Sequence, residues 1–542
     1  MRGGSHLLSF LWKGRSVSKS VIVSNIRLPF TEPSHEALAV AEKRLGHPKS
    51  ASYHICKKSL DARKRRDICF VYSVSAVLDD GAAVKMPKDP HIRLEEKKPL
   101  DIATGSEKLD CPPVIAGFGP AGMFAGLLLA LNGFRPVIIE KGPDMDQRVA
   151  DVEAFNKSGR LNPDANIQFG EGGAGTFSDG KLTTRISDSR CGYILEQLAR
   201  HGAPDDILYQ AKPHIGTDKL KKVIKNIRAD ITALGGAVHF NTSLTGLIAD
   251  GGVLTGIKTS TGDLPARALI LAPGHSARAV FPMLLEHGVA ITSKPFSVGV
   301  RAEHLQDRID RALYGDLVGH PLLPKGEYQF SHRGADRAVY TFCMCPGGVV
   351  VPAASEDGGV VTNGMSVYAR DGVNANAALV VSVDERDYGS GPLAGVAYQQ
   401  KLEHAAFGMG GGGFAAPVQD AGSFLAGKRG YFPGKVVPSY ARGVKEADFK
   451  ALFPSPVADM LQTGLVRFGK KLAGFDAADT VLTGVETRTS SPVRIPRGDT
   501  LESVSLRGLY PCGEGAGYAG GIMSAAADGV RVAQAIMARY QP

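Results

Sequence analysis

The chain has 542 residues, 43% of them hydrophobic and 22% charged, and a formal net charge of +9. That length exceeds one hydrophobic core, so two or three domains are expected, and the ordinary globular composition shows no solenoid or propeller repeat. Seven cysteines (56, 69, 111, 191, 343, 345 and 512) are odd in number and lack CxxC spacing. This excludes a zinc site and a secreted disulfide framework, and predicts a reducing, cytoplasmic setting.

In chain order, the first thirty-one residues contain no acid and 7–12 is apolar. That core is short for a signal peptide and no cleavage pattern follows, so 1–19 reads as a disordered extension, with a transit-like leader as the alternative. Residues 20–108 read as a small basic α+β domain. Residues 21–28 alternate as a strand, 35–45 have helical spacing with Ser34 as N-cap, and 67–78 is rich in β-branched and aromatic residues. A polar, lysine-rich link over 85–110 follows. Residues 1–110 hold twenty Lys/Arg against thirteen Asp/Glu, with a knot at Lys57, Lys58 and Arg63 to Arg66. No aromatic residues interleave it, which favours a solvated face over a nucleic-acid grip.

Residues 114–141 read as strand, glycine turn, helix, second strand and acidic tip: VIAGFGPAG, an apolar stretch, then VIIEK. In this fingerprint Gly117 makes the tight turn, Gly119 admits a pyrophosphate with Pro120 and Ala121 opening the helix, and Gly122 lets helix and strand pack. The helix start turns its N–H groups towards phosphate. Glu140 stands where a ribose hydroxyl is bound, with Lys141 beside it. The uncharged run 111–134 is long enough to span a bilayer, but its glycine spacing and prolines argue for a buried βα unit and no membrane.

Three later segments read as parts of the same nucleotide domain. NIQFGEGGAGT (166–176) exposes backbone amides at Gly172, Gly173, Gly175 and Thr176. A strand into Leu244 precedes a hairpin and then ALILAPGH (268–275), where Gly274 gives a second close approach. At the far end, GLYPCGEGAGYAGGIM (508–523) offers Gly513 and Glu514 for a ribityl chain and a helix start at Gly521 and Ile522 for an anionic ring. The chain is therefore expected to form a discontinuous α/β Rossmann-like domain over 109–275 and 506–542, with an inserted α+β substrate lobe at 276–505.

The segments NIQFGEGGAGTFSDGKL (166–182), CPGG (345–348), NGMS (363–366), TRTSSP (487–492) and GEGAGYAGGIMSAAADG (513–529) resemble those of the uncharacterised FAD-dependent dehydrogenases, also described as NAD(FAD)-utilising dehydrogenases. The resemblance implies a glutathione-reductase-like FAD domain, with Gly117, Gly119, Gly122, Glu140, Gly172, Gly173, Gly513 and Glu514 binding FAD and Arg148 near the pyrophosphate. Relatives often carry Gly-Asp where this chain has Gly513-Glu514, so the ribityl contact is expected to run through water or to another hydroxyl.

FAD rather than NAD is expected because the later glycine segments would cover the ribityl and ring ends of the longer molecule. No second strand–GxGxxG–helix unit follows; GMGGGG at 408–413 comes after a helical stretch (393–407) and reads as a loop. An NAD(P)H donor would thus dock transiently, unless a protein or the substrate itself supplies electrons. The expected function is hydride transfer through flavin N5 to or from a small-molecule substrate. The alternatives are a flavoenzyme acting on RNA and a non-catalytic flavin-binding sensor. Lys181 and Arg301 are candidates to face the ring, and Arg488 and Arg494 to hold an acidic substrate. Cys343 and Cys345, two apart on an expected strand, share a face and read as buried small hydrophobes. No metal-ligand spacing or catalytic triad is visible.

Overall fold

The computed structural model describes residues 18–47, 51–78, 88–97, 99–184 and 186–542. The expectation for 1–19 falls almost wholly outside them. The chain divides into two compact units.

The first comprises the described residues up to Ile102, with Asp205–Pro213 and Pro321–Leu323. Strands Ser18–Pro29, Ala51–Asp61, Cys69–Leu78 and Ile92–Lys97 form an antiparallel sheet in the order second, third, first, fourth. The helix Glu36–Arg44 adds Ala37 and Ala41 to a core of Val21, Val23, Ile26, Tyr72 and Val74. Ser34 does not cap it: the cap position is His35, without a side-chain bond, and the Ser34 hydroxyl pairs with Tyr72 Oη at 3.0 Å. The lysine-rich link contains an edge strand, Ile92–Lys97, whose charges disguise it. The other edge is covered where Lys58 exchanges backbone bonds with Tyr209 and Ala211.

The basic knot is exposed at Lys57 and Arg63 to Arg66 but half-buried at Lys58. The Lys58 ammonium sits 4.2 Å from the Phe70 ring centre, its pKa lowered by burial, and Arg63 is tied to Asp61 at 2.7 Å.

In the second unit the expected βα pattern forms. Strands β1 (Val114–Ala116), β2 (Val137–Ile139), β3 (Ala237–His239), β4 (Leu269–Leu271) and β12 (Leu509–Pro511) make a parallel sheet, ordered β12-β4-β1-β2-β3. Helix α1 (Pro120–Leu131) follows β1 and is buried from Ala121 to Ala130, being covered by sheet and helices rather than lipid. Helices α3 (Thr217–Ala233) and α6 (Ile522–Arg539) pack against α1, and α2 (Met145–Ser158) follows β2. Among the described residues no helix is long and apolar enough to cross a membrane.

A seven-stranded sheet follows from β5 (Phe296–Leu305), β6 (Ser331–Arg333), β7 (Ala338–Cys345), β8 (Asn374–Val383), β9 (Ala416–Asp420), β10 (Val444–Glu446) and β11 (Val481–Glu486), ordered β6-β7-β8-β5-β11-β9-β10. Its central strands β5 and β8 are buried almost throughout, in keeping with the apolar and small-residue run of β8, while β5 also buries Arg301, Glu303 and His304. Helices α4 (Ala394–Met409) and α5 (Ser455–Gly469) join its core through Leu402, Leu461, Leu465 and Phe468.

Burial along α5 sets a direct test. Leu461→Ala, at a site with no exposure, is expected to cost about 2–5 kcal/mol. Val466→Ala, 40% exposed on the same helix, is expected to cost less than about 0.5 kcal/mol. Urea unfolding followed by circular dichroism measures both.

Candidate dinucleotide site

The turn after β1 is built by backbone proximity. Gly117 has φ +104°, and a Cβ there would lie 2.3 Å from the Ala272 carbonyl oxygen. A Cβ on Gly122 would lie 1.9 Å from the Gly117 oxygen, so α1 rests on its own turn. Gly119 caps the helix and Pro120 opens it, which leaves the first N–H groups without intrahelical acceptors. The nearest atom to a Cβ on Gly119 is Gly173 Cα at 3.8 Å, so space remains above the helix start.

Other expected segments gather there. Gly172 N–H donates to the Phe118 carbonyl at 2.9 Å, and a Cβ on Gly173 would lie 3.0 Å from Gly119 Cα. A Cβ on Gly175 would touch the Ile522 side chain at 3.0 Å, and one on Gly513 would lie 2.8 Å from Ala121 Cβ. Gly515 packs on the Gly274 carbonyl. Thr176 is buried, its hydroxyl donating to the Glu171 carbonyl at 3.3 Å. Gly521 is the N-cap of α6 and Ile522 its first residue. Leu244 stands apart: it opens a three-stranded antiparallel sheet, pairing with Thr259, and packs on the core beside Val114 and Ile139.

Charged groups hold these loops. Glu140, buried at the end of β2, accepts from Phe118 N–H at 2.8 Å, Gly142 N–H at 2.9 Å and Gly170 N–H at 3.3 Å. Lys141 pairs with Asp164 at 2.9 Å and sits 4.8 Å from the Phe169 ring centre. Glu171 accepts from Met145 N–H at 2.7 Å and pairs with Arg228 at 3.1 Å, while burial pushes its pKa up.

Arg148 differs from expectation. It is fully buried, and its guanidinium donates to the carbonyls of Asn166, Ile167, Gly170 and Glu171. Burial pulls its pKa down to about 9, so it stays cationic at neutral pH. With its donors spent on carbonyls, it shapes the loop instead of reaching a pyrophosphate.

Two other basic candidates are withdrawn from any ligand for the same reason. Arg301, with no exposure, is paired with Glu486. Arg488 lies between Glu403, at 3.1 Å, and Ser355. Lys181 keeps partial exposure beside Glu327 at 3.4 Å, and Arg494 is exposed, its guanidinium donating to the Gly517 carbonyl at 3.2 Å.

Sequence reasoning gave His275 no role. It is 8% exposed, its Nδ1 lies 3.3 Å from Glu514 Oε1, and its Nε2 has no hydrogen-bond partner among the described residues. Its signal was its place after the Ala-Pro-Gly turn. Also unforeseen, Asp528 accepts from Gly513 N–H at 2.8 Å and pairs with Arg497 at 2.6 Å. Among the described residues no acid, His and Cys group could hold a metal. Open space at a helix N-terminus, backbone cradles too tight for a Cβ and a buried imidazole nitrogen lacking a partner together fit an elongated, anionic, hydroxyl-bearing dinucleotide.

The family match over part of the chain agrees with FAD as the ligand. Residues 295–489 match the family "FAD-dependent protein, C-terminal domain-like", and 21–77 match a domain of unknown function, DUF8436. An uncharacterised protein of Clostridium beijerinckii is 47% identical over 491 residues, covering 90% of this chain and 92% of that protein. Among solved structures, glycine oxidase from Geobacillus kaustophilus aligns at 12% identity over 79% of this chain and 94% of that one, with a TM-score of 0.34. L-proline dehydrogenase from P. horikoshii aligns at 11% over 80% and 94%, with a TM-score of 0.33.

Gly173→Ala puts a methyl 3.0 Å from Gly119 Cα at φ +65° and is expected to weaken FAD retention about tenfold or more. Gly288→Ala, at φ +73° with open space around it, is expected to leave retention unchanged. Equilibrium dialysis of both variants makes the comparison.

Proposed function

The chain belongs to the family of the Clostridium beijerinckii protein and is FAD-dependent, and on that premise we propose that it is an oxidoreductase exchanging a hydride between a small-molecule substrate and flavin N5. The observation that supports this reading is the meeting of stretches 117–122, 172–176, 272–275 and 513–522 around the start of α1. A simple phosphate site needs only the first; the others would wall the ribityl and ring ends of a longer ligand. Bound there, the flavin supplies two-electron chemistry that side chains lack.

In this reading the first turn of α1, with Gly119 and Gly173, faces the pyrophosphate. Glu140 accepts from a ribose hydroxyl through lone pairs that its three amide donors leave open. Glu514 and the free Nε2 of His275 hold ribityl hydroxyls, and the N-terminus of α6 favours negative charge on the reduced ring. Of the basic candidates, Lys181 for the ring and Arg494 for an acidic substrate keep exposure. The glycine run 408–413 starts in the last turn of α4 and does not follow a strand, so a nicotinamide donor, if used, would dock transiently.

Two measurements test this. His275→Leu is expected to lower FAD affinity about tenfold, as loss of one buried hydrogen bond would. Anaerobic mixing of the flavin-loaded protein with NADPH, NADH and small carboxylic or amino acids is expected to bleach the oxidised-flavin bands faster with one donor than free FAD is bleached. Bands that none of them moves, while dithionite reduces them, would mean a flavin held without turnover and would overturn the proposal.

A further inference from the structure

On a regular strand, residues two apart point the same way at a spacing too wide for their sulfurs to bond. Cys343 and Cys345 do not lie on a regular strand. Pairing of β7 with β8 runs Phe342 to Ala378 and then Cys345 to Asn376, three residues against two, which is a bulge. Within it Cys343 has φ +43°, left-handed backbone that is strained for a side-chain-bearing residue. The turn folds Cys345 back on Cys343, its thiol donating to the Cys343 carbonyl at 3.5 Å, and the two thiols lie close enough to shift one another's ionisation. Burying two small apolar side chains needs neither the bulge nor the strain.

The surroundings are polar and built around the pair. On the strand Thr362–Met365, a Cβ at Gly364 would lie 2.9 Å from Cys345 Sγ, 2.5 Å from Arg301 Nη1 and 2.4 Å from Asn376 Oδ1, so glycine makes room for all three. Arg301 Nη1 donates to the Cys343 carbonyl at 2.9 Å. Asn376, opposite Cys345 across the bulge, has no exposure, and its Nδ2 finds no acceptor among the described residues. Cys343 is partly exposed and Cys345 is not, which separates an accessible thiol from a protected one.

We propose that Cys343 and Cys345 form a reversible dithiol–disulfide couple that exchanges with a low-molecular-weight disulfide, Cys343 attacking and Cys345 resolving. The Cys343 thiolate bonds to one sulfur of the disulfide RSSR, whose S–S bond breaks to release RS⁻, which takes a proton. Cys345 then gives up its proton and bonds to Cys343 Sγ, breaking the mixed disulfide and releasing a second RSH. Two electrons pass from the protein to RSSR, giving one intramolecular disulfide and two thiols. This step goes beyond the flavin reading and is independent of it.

The charges facing the pair suit these roles. The Cys345 thiol first, then Arg301 and Lys181, bring Cys343 down to about 7 against burial and the Asp179 carboxylate. Cys345 is pushed up, with the Cys343 bond and burial as main causes. By contrast Cys512 is wholly buried, with its pKa raised by burial, and has no thiol partner among the described residues.

The full-length protein, reduced and then treated with glutathione disulfide, is digested with trypsin and weighed. The expected product is the peptide 338–370 lighter by two hydrogens, and in Cys345→Ser the same peptide carrying glutathione on Cys343. On the unmodified protein, iodoacetamide alkylation of Cys343 is expected to follow a midpoint near pH 7, and at pH 7 to run about fivefold faster than in the urea-unfolded chain. The proposal is overturned by a peptide that stays reduced, by glutathione on the wild-type protein that never closes to the disulfide, or by an alkylation midpoint at the ordinary thiol value of about 8.5.

Discussion

The carboxylate of Glu140 accepts hydrogen bonds from the glycine turn at Phe118, from Gly142 just beyond its own strand, and from the glycine-rich loop at Gly170. Three loops between residues 118 and 170 thus share one buried carboxylate. Arg148 lies close enough for their charges to interact and gathers the carbonyls of the same loop. Removing the Arg148 guanidinium would leave the buried carbonyls of Asn166, Ile167 and Glu171 without that donor, and removing the Glu140 carboxylate would do the same to the amides of Phe118 and Gly142. The amides of Phe118, Gly142 and Gly170 and the carbonyls of 166–171 are held by these two side chains.

From that centre the second unit extends its order outward. Asp179, just past the glycine-rich loop, accepts from Arg370 Nε at 3.0 Å and from the Ser366 hydroxyl, which ties the loop to the segment after the strand Thr362–Met365. The same strand carries Gly364, beside Arg301 and the cysteine pair. A second buried charge group, Arg278 with Glu403 at 2.7 Å and Arg488 with Glu403 at 3.1 Å, joins the stretch after β4 to α4 and the stretch after β11. Buried ion pairs contribute little net stability but fix geometry, and here they fix how the parallel sheet and the seven-stranded sheet meet inside one unit.

What the sequence made legible follows from local physics. The βα turn at Gly117 to Gly122, the helix at Ala394–Met409 and the buried strands β5 and β8 were readable because periodicity and glycine sterics act over a few residues. The strands Ala51–Asp61 and Ile92–Lys97 were missed because lysines and glutamates on edge strands hide the alternation. The roles of Arg301 and Arg488 were not legible either, since their partners are remote, Arg301 meeting Glu486 across 185 residues, and Arg148 takes backbone carbonyls that no residue pattern marks. The convergence of Gly172, Gly274, Gly513 and Ile522 on one turn was anticipated from glycine clusters, whereas His275 needed the fold to bring it to Glu514.

The most direct test of the account is the flavin content of the purified chain. Denaturing the protein, separating the released flavin by chromatography and comparing it with the protein concentration is expected to give FAD at about one molecule per chain, or the same ratio after incubation of stripped protein with FAD. A chain that releases no flavin and takes up neither FAD nor FMN would contradict the assignment of the Glu140-centred site to a dinucleotide.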